Sequence, residues 1–325
     1  MNAWNYLSTN GAALVAVCDT DTKKAKLAGE RFNIRWFSEL DQMLSEVSID
    51  LLDVVTQMSA RPLIARTAAR HQIAAILQKP LASDLKQCIE IVETAKKNNS
   101  WLAVHENFRF GTGMRRVQEV IKSGEIGVPN WERISFRTGF DVYAGQPYLA
   151  NEARGVILDS GIHMLDLARF FFGEVKHVFC ETQKRNPSIK GEDTATIMLR
   201  HTSGSVSLVE STYEAKRIPD AFPETFIEIE GTKGSVVVSK GEEMTVTARN
   251  SSRTEFVGSS LLPWTAKPWH ISQEAVLNTN KHMLETFREG READTSGLDN
   301  LKTFSLVEAS YLSSKTRKAI VPKYS

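Results

Sequence analysis

Three side chains on one predicted helix carry the clearest chemical signal in this sequence. Asp159, His163 and Asp166 fall at i, i+4 and i+7 of a helix expected over residues 155–172, a spacing that stacks side chains on a single face. A histidine between two carboxylates is held in one tautomer and has its proton affinity adjusted. That suits a group that gives or takes a proton near neutral pH. The same spacing fits a satisfied polar cluster, since Leu158, Ile162, Leu165 and Phe172 form a neighbouring apolar stripe and bury the helix on either reading. The acid one turn before the histidine, beside Gly161, tilts the balance towards function.

A second set lies at the ends of predicted strands: Asp19, then Thr56-Gln57, then Gln78-Lys79-Pro80, then His105-Glu106-Asn107-Phe108-Arg109. In a doubly wound sheet, ligands sit beyond the carboxyl ends of the strands, so four successive polar strand ends weigh more than any one of them. Asp19 suits a ribose diol or the N-cap of the next helix. Lys79 suits a cation beside a reacting oxygen or a surface lysine, and the adjoining Pro80 fixes the backbone there. Asn107 and Arg109 suit a polar substrate or a structural corner.

The elements that must position these groups follow from apolar periodicity. Leu14–Cys18, Leu51–Val55, Ala74–Leu77 and Trp101–Val104 are short apolar runs, typical of strands buried on both faces. Helices are expected between them, over residues 23–32, 39–47, 61–71 and from Ser83-Asp84 to Lys97. That alternation implies crossover connections and a parallel sheet. After Arg109 the rhythm changes. A helix over 112–122 and a strand over 131–137 precede the helix of His163. Period-2 segments follow at 177–183, 194–200, 205–212, 225–230, 235–238 and 244–247, with helices over 272–287 and 298–315. The expected fold is therefore α/β, with a Rossmann-like parallel domain over 1–109 and an α+β domain with a large, mostly antiparallel sheet over 110–325. The last helix has the option of packing back on the first domain.

Bulk composition narrows the function classes. The 325 residues are 42% hydrophobic and 24% charged, with 40 basic and 39 acidic side chains and a net charge of +1. There is no basic excess for nucleic acid or an anionic membrane. No apolar run approaches the roughly 20 residues that cross a bilayer. Cys18, Cys88 and Cys180 are far apart and form no C-x-x-C pair, which argues against a zinc site or a disulfide framework; no metal site is expected. A soluble protein of a reducing compartment, the cytoplasm, is the simplest reading.

Taken together, four strings resemble signatures of the glucose–fructose oxidoreductase / inositol dehydrogenase (Gfo/Idh/MocA) family. They are Val17-Cys18-Asp19-Thr20-Asp21, Gln78-Lys79-Pro80-Leu81-Ala82, His105-Glu106-Asn107-Phe108-Arg109-Phe110, and Leu158-Asp159-Ser160-Gly161-Ile162-His163-Met164-Leu165-Asp166, in the family's order and spacing. Residues 290–322 also resemble its carboxyl-terminal helix. The resemblance implies an NAD(P)-binding first domain, a second domain for substrate and subunit contacts, and a homodimer or homotetramer. It implies hydride transfer between NAD, or NADP, and the secondary alcohol or ketone of a sugar, inositol or related polyol. Lys79, Asp159 and His163 would be catalytic, His163 as general acid/base. Asp19, Thr56, Gln57, Gln78, Lys79 and Asn107 would bind cofactor, with Asp19 favouring NAD. Arg109, Tyr148, Asp159 and His163 would meet substrate, and Tyr143 and Arg154 precede the same helix.

The sequence departs from the family pattern in four places. Gln78 stands for the glutamate before the lysine, Gln57 for a proline and Arg61 for a histidine. The family's first strand and its G-x-G-x-x-G loop, whose backbone approaches a pyrophosphate, have no counterpart in these residues, and Met1–Thr9 reads as the tail of the helix after that loop. The expectation is a truncated Rossmann-like domain that holds NAD weakly. A non-catalytic ligand-binding or regulatory relative is the alternative.

Overall fold

The computed structural model describes residues 1–323, and strands alternate with helices up to His105. In order these are α1 (Asn2–Tyr6), β1 (Ala16–Cys18), α2 (Thr22–Phe32), β2 (Arg35–Phe37), α3 (Leu40–Glu46), β3 (Leu51–Val54), α4 (Arg61–Arg70), β4 (Ala74–Gln78), α5 (Leu85–Lys97) and β5 (Leu102–His105). Local chemistry sets the helix ends. The Asp21 carboxylate accepts from the amides of Lys23 and Lys24 at the start of α2, and Asp84 accepts from Gln87 at the start of α5. Each bond satisfies a donor that the first turn leaves open. Asn33 ends α2 at φ 53°, a left-handed position that asparagine tolerates well.

The strands are parallel, as expected from the crossovers, but they form two sheets: β1 with β2, and β3-β4-β5. Ala74, Ala75, Ile76 and Leu77 of the central strand β4 are all buried. Helices α4 and α5 pack together, with Ala65, Ala68 and Ala69 of the first and Cys88, Ile91 and Val92 of the second buried. A fully buried aliphatic side chain of this size contributes about 1.5–3 kcal/mol. The open edge of β5 is covered by a later segment: the Val104 amide donates to the Thr295 carbonyl at 2.8 Å, and the Thr295 hydroxyl donates back to the Val104 carbonyl at 2.8 Å. Covering an edge in this way removes a template for unwanted pairing.

The remaining elements are α6 (Thr112–Ser123), β6 (Pro129–Arg137), α7 (Val142–Gly145), α8 (Ile162–Phe172), β7 (Val175–Gln183), β8 (Thr194–His201), β9 (Val206–Thr212), β10 (Phe226–Gly231), β11 (Gly234–Ser239), β12 (Glu243–Ala248), β13 (Ser251–Phe256), α9 (His270–Arg288) and α10 (Gly297–Thr316). Strands β6–β13 make one eight-stranded sheet in the order β13-β12-β11-β10-β6-β9-β8-β7, antiparallel except at β6–β9. In β8, Ala195, Ile197 and Leu199 are buried while Thr196, Met198 and Arg200 are exposed, the alternation of a sheet with one covered face. Helix α8 packs on β6 and β9.

The chain divides into two compact units, Met1–His105 with Val276–Asn300, and Glu106–Ala275 with Leu301–Ser325. Two strands have no counterpart in the sequence expectations, and one expected helix start needs correction. Strand β2 is only Arg-Trp-Phe, too short to show a period. Strand β13, Ser-Ser-Arg-Thr-Glu-Phe, has no buried residue and exists through its backbone pairing with β12. The helix expected over 155–172 begins instead as a π-helical turn, Ile157–Gly161, and becomes α-helical at Ile162. Its first donors are taken by a side chain from another element: the Glu192 carboxylate accepts from the amides of Gly155 and Ile157, both at 3.0 Å. Gly155 is required there, because a Cβ would stand 2.0 Å from the Glu192 carbonyl oxygen.

The core of the second unit also holds a polar chain. Glu132 on β6 shares a short hydrogen bond with Ser207 on β9. Ser207 lies 2.6 Å from His201 Nε2, and His201 Nδ1 lies 2.9 Å from the Gly173 carbonyl. All three side chains are buried, and among the described residues Glu132 Oε2 has no partner. Burial pushes the Glu132 carboxyl well above its ordinary range and holds the His201 imidazole below its own. Both causes favour the neutral forms.

Candidate active site

In the second unit the π turn and α8 present Asp159 and His163, and two further elements bring partners to them. β5 ends at His105, and the chain then turns through a 3-10 turn, Phe108–Phe110. That segment carries Glu106, whose side chain is fully buried and whose Oε1 makes a short hydrogen bond with His163 Nδ1. The Phe108 amide donates to the same carboxylate oxygen at 3.3 Å. The Phe108 ring lies against the imidazole with centroids 4.0 Å apart and planes 16° apart. A carboxylate on Nδ1 selects the tautomer protonated there, and the stacked ring restricts rotation.

Asp159 takes its partner from the end of β9. The Tyr213 hydroxyl donates to Asp159 Oδ2 at 2.5 Å. Burial first, and the Asp159 charge second, hold the Tyr213 phenol well above its ordinary range, so it stays protonated and a donor. Tyr143 on α7 meets the Tyr213 ring edge-on at 6.3 Å. Its hydroxyl is pushed up to about 12 by burial and then by surrounding acids, among them Asp193, Glu214 and Asp159. The unit thus holds an imidazole, a carboxylate and two neutral phenols on neighbouring elements. That set is suited to receiving a hydroxylated ligand and exchanging one proton with it.

Asp166 does not complete a carboxylate–histidine–carboxylate row. Arg109 Nε donates to its Oδ2 at 2.6 Å, and the Thr303 hydroxyl donates to its Oδ1 at 3.0 Å. Arg109 is 5% exposed. The structure shows this arginine as a buried guanidinium in a two-pronged pair with Asp166. Asn107 is half-buried and precedes the 3-10 turn without a side-chain cap bond. Tyr148 is 55% exposed on the short turn Pro147–Asn151, and its hydroxyl donates to Gln146.

In the first unit the expected residues all stand at carboxyl ends of parallel strands. Asp19 follows β1, and its Oδ1 accepts from the Asp21 amide at 2.9 Å. Thr56 and Gln57 are exposed after β3, while Gln78 and Lys79 are half-buried where β4 runs into the cis Lys79–Pro80 bond. Arg61, buried at the start of α4, binds these strand ends together. Its guanidinium donates to the Thr56 carbonyl at 2.7 and 3.1 Å, to the Gln78 carbonyl at 3.1 Å, and to the Pro80 carbonyl. A carboxylate after β1, and two amides, a hydroxyl and an ammonium after the neighbouring strands β3 and β4, are groups that suit the hydroxyl-rich riboses of a dinucleotide.

Sequence reasoning missed three of these residues. Glu106 stands in a strand-end string noted for its polarity, and an acid following a buried apolar run was the available signal. Arg61 was legible only as a departure from a family pattern. Tyr213 lies just past a period-2 segment, and its partner is 54 residues away, so nothing local marks it.

Two family models match the chain: an oxidoreductase family with an NAD-binding Rossmann fold over residues 1–106, and a GFO/IDH/MocA C-terminal domain over residues 114–237. The chain is 42% identical over 321 residues to a D-apiose dehydrogenase of Rhizobium rhizogenes, covering 98% of this chain and 92% of the relative. It is 38% identical over 321 residues to a D-apiose dehydrogenase of Paraburkholderia graminis, covering 98% and 85%. An oxidoreductase from Agrobacterium radiobacter, crystallised with NAD+, L-tartaric acid and magnesium, superimposes with a TM-score of 0.96. It is 41% identical, with 99% of this chain and 94% of that one covered.

Proposed function

As the chain belongs to the GFO/IDH/MocA oxidoreductase family, we propose that it is an NAD-dependent dehydrogenase acting on a CH–OH carbon of a sugar or polyol. D-apiose is the first candidate, supported by the two D-apiose dehydrogenases at 42% and 38% identity. The observation that carries the chemistry is His163, held by a buried carboxylate beside an Asp159 that a neutral phenol engages.

Each residue then has a role. Asp19 accepts from the adenosine ribose hydroxyls, and its charge disfavours a phosphate there, hence NAD over NADP. Thr56, Gln57 and Asn107 line the cofactor, and Gln78 hydrogen-bonds a ribose hydroxyl without adding charge. Lys79 places a cation near the reacting oxygen and steadies negative charge as it develops. Asp159 accepts from a substrate hydroxyl and fixes its orientation. His163 takes the hydroxyl proton in oxidation and returns it in reduction. Bound NAD+ supplies the acceptor for the hydride that leaves the same carbon.

The test is NAD+ reduction by the purified protein over a panel of D-apiose, myo-inositol, scyllo-inositol and L-tartrate. Turnover highest with D-apiose is expected, with His163→Ala lowering kcat by about 100- to 10,000-fold and leaving NAD+ affinity intact. Absence of turnover across a broad sugar and polyol panel, or full activity in His163→Ala, would overturn the proposal.

A further inference from the structure

Glu106 belongs to neither the cofactor-binding nor the substrate-binding set, yet its carboxylate is fully buried and bonded to the imidazole that would move the proton. We propose that Glu106 is the positioning residue of this enzyme: it fixes the Nδ1–H tautomer of His163 and raises the basicity of Nε2, which exchanges the substrate proton. The inference rests on the reading of His163 as general acid/base.

The geometry supports it in three ways. The hydrogen bond is to Nδ1, so the nitrogen left to exchange a proton is Nε2, at the far side of the ring. The Phe108 amide donates to the same Glu106 oxygen, and the Phe108 ring stacks on the imidazole. One backbone turn, 106–110, therefore delivers the carboxylate, orients it and restrains the ring it serves. Finally, several charged groups around α8 are engaged elsewhere: Arg169 donates to Glu174, and Arg115 lies over the Phe110 and Phe170 rings. Arg109 pairs with Asp166, Glu192 receives the Gly155 and Ile157 amides, and Glu132 lies in its chain with Ser207. Asp159, one turn before His163, is engaged by Tyr213. Glu106 is the group placed to tune the imidazole.

In the oxidation direction the substrate O–H bond breaks and a bond forms from that proton to Nε2, while the Nδ1 proton stays with the ring, shared with Glu106. The imidazolium so formed carries its charge beside the Glu106 carboxylate, which stabilises it. In reduction the same proton returns from Nε2 to the carbonyl oxygen.

Glu106→Gln keeps the shape and an acceptor oxygen but removes the charge. With D-apiose and NAD+, the acid limb of the kcat/KM profile should move down by about one to three pH units, since an adjacent opposite charge raises a histidine by that order. The plateau should fall about tenfold as the base weakens. Phe108→Leu serves as the steric control: it lowers the plateau and leaves the limb in place. In a His163→Ala background, Glu106→Gln should add nothing. An unmoved limb in Glu106→Gln, with His163→Ala inactive, refutes the positioning role and spares the dehydrogenase reading. Full activity of His163→Ala refutes that reading itself. Should Glu106→Gln fail to fold, nitrogen NMR of the isotopically labelled parent decides: neutral His163 protonated at Nδ1 supports the proposal, and protonation at Nε2 overturns it.

Discussion

Replacing Glu132 with glutamine probes the buried polar chain of the second unit, and the expected effect follows from proton bookkeeping. His201 Nδ1 faces a carbonyl, so that nitrogen carries the proton and Nε2 accepts. With both groups neutral, as burial favours, Ser207 donates to Nε2 and a protonated Glu132 donates to Ser207. The alternative, an imidazolium and a carboxylate separated by Ser207, places two charges in the core, and burial shifts both groups against it. The sign is then fixed. A carboxyl raised in the folded state contributes its stability below the unfolded value, near 4.5, and loses it as pH rises towards the folded value. The loss is about 1.4 kcal/mol per pH unit, so roughly 3 kcal/mol over two units. Glutamine is neutral throughout and escapes this term, but its amide nitrogen brings a second N–H into a fully buried position where the acid had a single O–H. That costs about 1–3 kcal/mol at every pH. Glu132→Gln should therefore be less stable than the parent at pH 4.5 and gain on it by about 1.4 kcal/mol per unit above that. The gain levels off where the folded carboxyl titrates. Urea unfolding across pH 4.5–8 measures the difference, and a flat difference would refute the protonated-carboxyl assignment.

Three further outcomes are expected. Tyr213→Phe removes the phenol that donates to Asp159 and should lower kcat/KM about 10- to 100-fold, the equivalent of one hydrogen bond to a charged group; turnover with D-apiose and NAD+ reads it. Arg109→Met leaves the buried Asp166 carboxylate without its cation and should cost about 3–5 kcal/mol in urea unfolding, whereas a substrate-only role would leave stability unchanged. Arg61→Met frees the strand ends at Thr56, Gln78 and Pro80 and should raise the KM for NAD+ about tenfold, some 1.4 kcal/mol of lost preorganisation.

What was legible in the sequence had local causes. The β4 run Ala74–Leu77 announces itself because both faces of that strand are buried, and Asp84 marks a helix start because its cap bond closes within three residues. The alternation of β8 and β9 is visible because helices cover one face of their sheet. Strand β13 was not, since an edge strand held by main-chain bonds and bearing Ser, Arg, Thr and Glu has no side-chain period to display.

The site divides along the same line. Asp159 and His163 could be chosen as candidates from spacing on a helix, but spacing misidentified the partners. An ideal helix would place Asp159, His163 and Asp166 on one face. In the folded chain Asp159 lies in a π turn, Tyr213 arrives from β9, and Glu106 arrives from the end of β5. Asp166, the carboxylate that spacing assigned to the histidine, holds Arg109 instead. Local periodicity selects which residues meet an interior, whereas the charge that tunes a catalytic group crosses 57 residues of sequence and is fixed only by packing. The His163 pH profile therefore tests a tertiary contact, and the same profile in Asp166→Asn, corrected for lost stability, should keep its acid limb where Glu106→Gln moves it.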